Sequence, residues 1–251
     1  MKLRKAIRRA LAFAAVLGVV ACATAEPGAP LSATDPHESF NRKVLDSNIA
    51  LDRYALRPVA QVYDTVTPAT VKLLVGNGFN HLDLPSDFVN YVLQGEVEPA
   101  LHVFGRFTLN TVMGAGGLLD PATEFGLPEI DTDFGITLGK HGVPEGTYWM
   151  APVVGPTTTR DVTGVVFDAL VSPTSAFGLV EPNPPLEISL GLRALEGIDK
   201  RDWYKAVIDD LLYESEDPYV SLRSVNLQRR RAQVAGEDAG ADALPDIFDT
   251  N

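Results

Sequence analysis

The side chains able to do covalent or metal chemistry are few in this sequence, and their spacing excludes most enzyme classes. Cys22 is the single cysteine, and the four histidines, His37, His81, His102 and His141, lie far apart. No His-Glu-x-x-His pair is present, so a zinc hydrolase of that type has no ligand helix. No Gly-x-Ser-x-Gly elbow occurs, so a serine lipase of that type has no nucleophile turn. Gly135-Ile136-Thr137-Leu138-Gly139-Lys140-His141 approaches a phosphate loop, but it is one residue short. His141 also stands where Ser or Thr would hold magnesium. Gly114-Ala115-Gly116-Gly117 follows a helical pattern rather than a strand, so it does not open a dinucleotide fold. Neither a metal, a cofactor nor a catalytic residue is expected.

The chemistry that remains is at Cys22. Lys2, Arg4, Lys5, Arg8 and Arg9 form a basic start, and Ala10 to Val20 form an apolar run. That run is too short for a bilayer span, which needs about 20 residues. Val19-Val20-Ala21-Cys22 places a small residue before cysteine at its end, as in the bacterial lipobox. The reading is a signal peptide over 1–21, cleavage before Cys22, and lipid on its thiol and new amino group. Several acyl chains give stable anchoring, at about 0.8 kcal/mol per buried methylene. Ala23 stands where Asp would resemble an inner-membrane retention signal, which favours the periplasmic face of the outer membrane. Loss of the signal's five cations takes the formal charge from −12 to about −17. Such a surface repels nucleic acid.

The elements that would position any site read as mainly α. Residues 22–34 form a flexible tether, 35–231 one helical domain, and 232–251 an acidic disordered tail. Asp35-Pro36, Thr67-Pro68, Asp120-Pro121, Ser172-Pro173 and Asp217-Pro218 each set a capping side chain before a proline at the first helical position. Glu38 completes a capping box, and Ser86 or Asp87 would cap another short helix. Pro99 to Leu119 is apolar on all sides apart from Arg106. It is either a central core helix or a helix at a membrane interface, with Phe104 and Phe107 in lipid and Arg106 reaching a headgroup or a carboxylate. Glycines and prolines bracket Tyr148-Trp149-Met150, which predicts a small hairpin or structured loop. Tyr148 and Trp149 are then either core aromatics or a headgroup-level pair.

An ordered series of short blocks resembles the MlaA/VacJ lipoproteins. It opens at Asp35-Pro36-His37-Glu38-Ser39-Phe40-Asn41-Arg42 and continues through Leu51-Asp52-Arg53-Tyr54, Phe88-Val89-Asn90 and Arg106-Phe107. The densest blocks are Asp133-Phe134-Gly135, Thr137-Leu138-Gly139 and His141-Gly142-Val143, followed by Gly146, Tyr148, Pro152 and Gly155-Pro156. Leu195-Glu196-Gly197-Ile198-Asp199 and Asp217-Pro218-Tyr219 complete it. The resemblance implies a ring of short helices lying in one leaflet of the outer membrane around an amphipathic channel. Stray outer-leaflet phospholipid would cross that channel to a soluble periplasmic carrier, with trimeric porins as partners. It also implies that Phe40 and Asn41 influence gating, and it directs attention to Gly139, His141, Gly142 and Gly146 as channel or gating residues. The glycine density from Gly135 to Gly155 predicts a loop that moves. Two other readings remain at this point: a lipid-anchored scaffold or assembly factor that binds porins without moving lipid, and a phospholipid hydrolase.

Overall fold

A computed structural model describes residues 35–174 and 184–236; the expected signal peptide and tether, Cys22, and residues 237–251 of the expected tail lie outside them. The chain divides into two compact units. Among the described residues, the first holds 35–45, 134–167 and 219–236, and the second holds 46–133, 168–174 and 184–218.

The architecture is mainly helical. Helix α1 (Glu38–Leu51) begins three residues after Asp35, with Glu38 in its first turn paired to Arg42 at 2.8 Å. A π-helical turn at Asp52–Leu56 leads into α2 (Arg57–Val66), so the backbone stays helical throughout. Pro58, which has no N–H to give, follows this widened turn, and the Arg57 N–H bonds the Asp52 carbonyl. Helix α3 (Ala69–Gln94) is 26 residues long and carries Pro85 inside it. The short helix expected to start at Ser86 or Asp87 is therefore absent, and both residues are buried mid-helix. Gly95, at φ +77°, ends α3: its N–H bonds Val92 O and the Glu96 N–H bonds Tyr91 O. Helix α4 (Val97–Val112) packs back along α3, and α5 (Pro121–Glu124) closes against α4.

Helix α6 (Phe134–Lys140) precedes a two-stranded antiparallel hairpin, β1 (Tyr148–Ala151) and β2 (Gly155–Thr158). The expected small hairpin is thus present, with Tyr148 opposite Thr158 and Ala151 opposite Gly155. Helix α7 (Thr159–Val171) follows, then α8 (Leu186–Trp203), α9 (Lys205–Asp209), a second π-helical turn at Asp210–Glu214, and α10 (Pro218–Ala235). Helix α10 runs to Ala235, so residues 232–235, expected to open the tail, are helical. Helices begin at or just after four of the five X-Pro signals; at Ser172-Pro173 the described residues 173–174 form a turn. The capping carboxylates do other work: Asp120 makes no cap bond, and its oxygens accept from Arg106, Asn110 and Thr123.

Burial runs against the usual pattern. Leu84, Tyr91, Ala100 and Val103, with Phe88 and Ile130 beside them, form an apolar core where α3 meets α4. Beyond it, buried polar and charged side chains outnumber buried apolar ones, while many Val, Leu and Phe side chains are exposed. No described helix is long and apolar enough to cross a membrane.

Candidate functional site

In the first unit the site is built around Asn41, which is fully buried on α1. Its amide reads the outer edge of β1. Asn41 Nδ2 donates to Tyr148 O at 3.2 Å, and Asn41 Oδ1 accepts the Met150 N–H at 3.1 Å. One side chain thus takes the place of a third strand and satisfies an edge that would otherwise be open. The same Nδ2 donates to Asp35 Oδ1 at 3.0 Å. Asp35, read from sequence as a cap, is a buried hub: the Tyr219 hydroxyl donates to it and Arg223 Nη1 lies 3.5 Å away. Burial, then the adjacent Asp35 carboxylate, pushes the Tyr219 hydroxyl up, so it stays a donor. Arg42 stacks over the Tyr219 ring at 4.5 Å, and Tyr219 meets Tyr148 edge to face. Phe40, one residue before Asn41, is 57% exposed.

The glycine-rich segment is tied down at intervals. Glu145 accepts two bonds from Arg231 at 2.7 and 3.0 Å, and its carbonyl accepts the Arg160 N–H at 3.2 Å. Gly142 and Gly146 flank this tie at φ +84° and +74°, in the left-handed region that favours glycine. His141 is exposed, with Nδ1 2.8 Å from Thr137 O. Gly139 lies where a Cβ would sit 2.6 Å from Val234 and 3.0 Å from Arg160. Lys140 ends α6, so the phosphate-loop spacing is helix. The hairpin turns at Pro152-Val153-Val154: the Val154 N–H bonds Pro152 O at 2.8 Å, and Val153 sits at φ +68°, a strained conformation for a β-branched residue. Val153 and Val154 are both exposed.

The membrane-interface candidates separate by burial. Tyr148 is fully buried and takes the core reading; Trp149, half-buried, stacks on His37 at 4.7 Å. Arg106 in the second unit is also buried and reaches a carboxylate, Asp120, at 3.1 Å, rather than a headgroup. Phe104 stands on the opposite side of α4 and is exposed with Val97, Leu101 and Val112, while Phe107, exposed in part, stacks on the buried His81 at 4.9 Å. That helix is amphipathic, not apolar all round, and its inward positions include Arg106 and Asn110. The second unit also contains ion clusters that no motif announced. Arg201 holds Asp52 through two bonds at 2.7 and 3.1 Å, and the Tyr213 hydroxyl donates to the same carboxylate at 2.7 Å. Asp52 and Tyr213 lie on the two π-helical turns. In sequence Asp52 stood out only within the Leu51-Asp52-Arg53-Tyr54 block of the resemblance, and nothing paired it with Arg201 or Tyr213. Among the described residues, no three His, Cys, Asp or Glu side chains are arranged to hold a metal ion.

Comparison with known proteins agrees with this arrangement. The model of the MlaA lipoprotein family matches residues 33–233. The Escherichia coli K12 intermembrane phospholipid transport system lipoprotein MlaA is 35% identical over 224 residues, covering 85% of this chain and 86% of its own. The Haemophilus influenzae protein of the same name is 33% identical, covering 80% and 79%. An uncharacterized protein of Rickettsia felis is 36% identical, covering 81% and 79%. A solved structure described as a structural basis for maintenance of bacterial outer membrane lipid asymmetry superposes with a TM-score of 0.70 at 34% identity, covering 80% of this chain and 98% of that one. This chain belongs to the MlaA lipoprotein family.

Proposed function

We propose that this protein is an outer-membrane lipoprotein, anchored through Cys22 on the periplasmic face, that removes mislocalised phospholipid from the outer leaflet. The lipid passes through an amphipathic channel to a soluble periplasmic carrier, and a trimeric porin is the membrane partner. The observation that carries this reading is the inverted burial: apolar side chains such as Leu101, Phe104, Val62 and Leu190 outward, and Arg106, Asn110, Asp52 and Arg201 inward. Leaving a Val, Leu or Phe in water forfeits about 1.5–3 kcal/mol per side chain, a cost that acyl chains remove. A headgroup crossing hydrocarbon unaided leaves its charges desolvated, and polar walls lower that barrier without breaking a bond. The names of the E. coli and H. influenzae relatives support the same role.

Phe40 and Asn41, with Gly139, His141, Gly142 and Gly146, form the gating region in this reading. Asn41 fixes the hairpin to α1, and the glycines on either side of Glu145 give the loop two hinges. The test is the localisation and lipid phenotype of Cys22→Ala in a strain lacking the chromosomal copy. Anchorage and transport should fail together. A Cys22→Ala protein that still fractionates with the outer membrane and restores its lipid composition would contradict the proposal. An anchored wild-type protein that leaves outer-leaflet phospholipid unchanged would favour the porin-binding scaffold.

A further inference from the structure

The segment from Leu127 to Asp133 lies as a strap across α3 and α4, held almost residue by residue. Arg106 donates to Leu127 O, His102 Nε2 lies 2.7 Å from Pro128 O, and Asn80 donates to Glu129 at 2.7 Å. Ile130 packs on the apolar core, Tyr91 donates to Asp131 O at 3.1 Å, and Gln94 donates to Thr132 Oγ1 at 2.8 Å. The last tie is different in kind. The Thr132 N–H points at the carboxyl of Asp87, 3.5 Å away, and Asp87 is buried.

Asp87 has no cationic partner among the described residues. The charged groups that face it are acids from three directions: Asp83 on its own helix, Asp131 on the strap, and Asp168 at the end of α7. Burial first, and Glu196 second, push the Asp83 carboxyl up, against the lowering charges of Lys200 and Arg193. Asp168 is already used as an acceptor by Asn90 at 2.9 Å and Ser86 at 3.3 Å. An ionised Asp87 would place a desolvated charge beside like charges, one of them on the strap itself. The side-chain oxygen of an asparagine would accept the same N–H without that cost.

We propose that Asp87 is a proton-held latch, closing the strap over α3 when its carboxyl is neutral and releasing it when the carboxyl ionises. Burial first, and Asp83 second, push this carboxyl up to about 8, outweighing the Thr132 N–H, which on its own favours the carboxylate. In the released strap it would return toward its ordinary value near 3.8. The direction follows. Below pH 4 both states are protonated and opening does not depend on pH. Between about 4 and 8 opening releases a proton and becomes easier as pH rises, by at most about tenfold per unit. Above about 8 both states are ionised and the dependence levels off. The inference stands independently of lipid transport.

The experiment is amide hydrogen exchange of the full acylated protein in detergent from pH 5 to 9.5, with each rate corrected for intrinsic exchange. Peptides covering Leu127–Asp133 should lose protection severalfold per pH unit and level off near pH 8, while peptides from α10 should not follow. Asp87→Asn should hold the strap protected at every pH. Asp83→Asn, which removes the acid that acts most strongly on Asp87, should level off at a lower pH and serves if Asp87→Asn does not fold. Wild-type protection that is flat with pH, or an unchanged profile in either folded variant, would overturn the latch.

Discussion

Replacing Asn41 by alanine should detach the hairpin from α1 without unfolding the protein. The substitution leaves the Met150 N–H and the Tyr148 carbonyl without partners on the edge of β1, and removes one donor from Asp35. A buried group left unsatisfied costs about 1–3 kcal/mol, so the two backbone groups together cost about 2–6 kcal/mol. Water entering the space left by the amide would place the result near the lower end. Even that end is a large part of a domain's stability of about 5–15 kcal/mol, but β1 retains its ladder to β2, so the loss is local. The assay is exchange of the Met150 amide in the full chain. A loss of about 2 kcal/mol shortens its protection by roughly thirtyfold. Asn41→Asp should lie between wild type and Asn41→Ala at this amide, because an acceptor for Met150 remains. It should still lower overall stability, because a second carboxyl then faces Asp35 across the 3.0 Å contact. Ser39→Ala, at an exposed position on the same helix, is the control. A Met150 amide as protected in Asn41→Ala as in wild type would refute the argument that Asn41 substitutes for a strand.

Other outcomes follow from the same geometry. Gly164→Ala should lower the melting temperature by several degrees, because its Cβ would press on the Gly135 backbone where α7 crosses α6; an unchanged melt would mean the two helices can part cheaply. Asp120→Ala should cost about 3–5 kcal/mol by leaving the buried Arg106 unpaired, measurable by chemical denaturation. Burial pushes the Asp120 carboxyl up, but bonds from Thr123 and Asn110 and the charge of Arg106 outweigh it and hold the group below its ordinary value. The stability it contributes is therefore present above about pH 4 and lost as pH falls below that, so Asp120→Asn should flatten the acid limb of the wild-type curve. Val153→Gly should raise stability by up to about 1 kcal/mol, since glycine takes φ +68° without strain; a lower melting temperature would show that the turn is not strained.

Helical class and the hairpin were readable because each rests on local chemistry: proline after a capping residue, and glycine and proline around Tyr148-Trp149-Met150. Helix length was not, because Pro85 reads as a stop, and only packing against α4 and the strap tells that α3 continues through it. Pro99–Leu119 looked apolar on all sides because periodicity cannot assign which face meets protein. The structure turns Arg106 and Asn110 inward and Phe104 outward, the reverse of a water-soluble helix. Phe40 and Asn41 came from resemblance alone, and what sequence could not supply was that Asn41 reaches β1 more than a hundred residues later. Asp35 shows the same limit: its position before Pro36 explains a helix start, but its contacts with Tyr219 and Arg223 are long-range and leave no trace in spacing.

The account rests on the exposed apolar side chains facing acyl chains rather than water, and photo-crosslinking in native membranes tests that most directly. A photoreactive amino acid placed singly at Leu101, Phe104 or Val62 should yield phospholipid adducts on irradiation. The same probe at Gln228, an exposed polar position on α10, should yield few or none. Adducts at neither set, or equally at both, would contradict the claim that the inverted surface is built to lie in a leaflet.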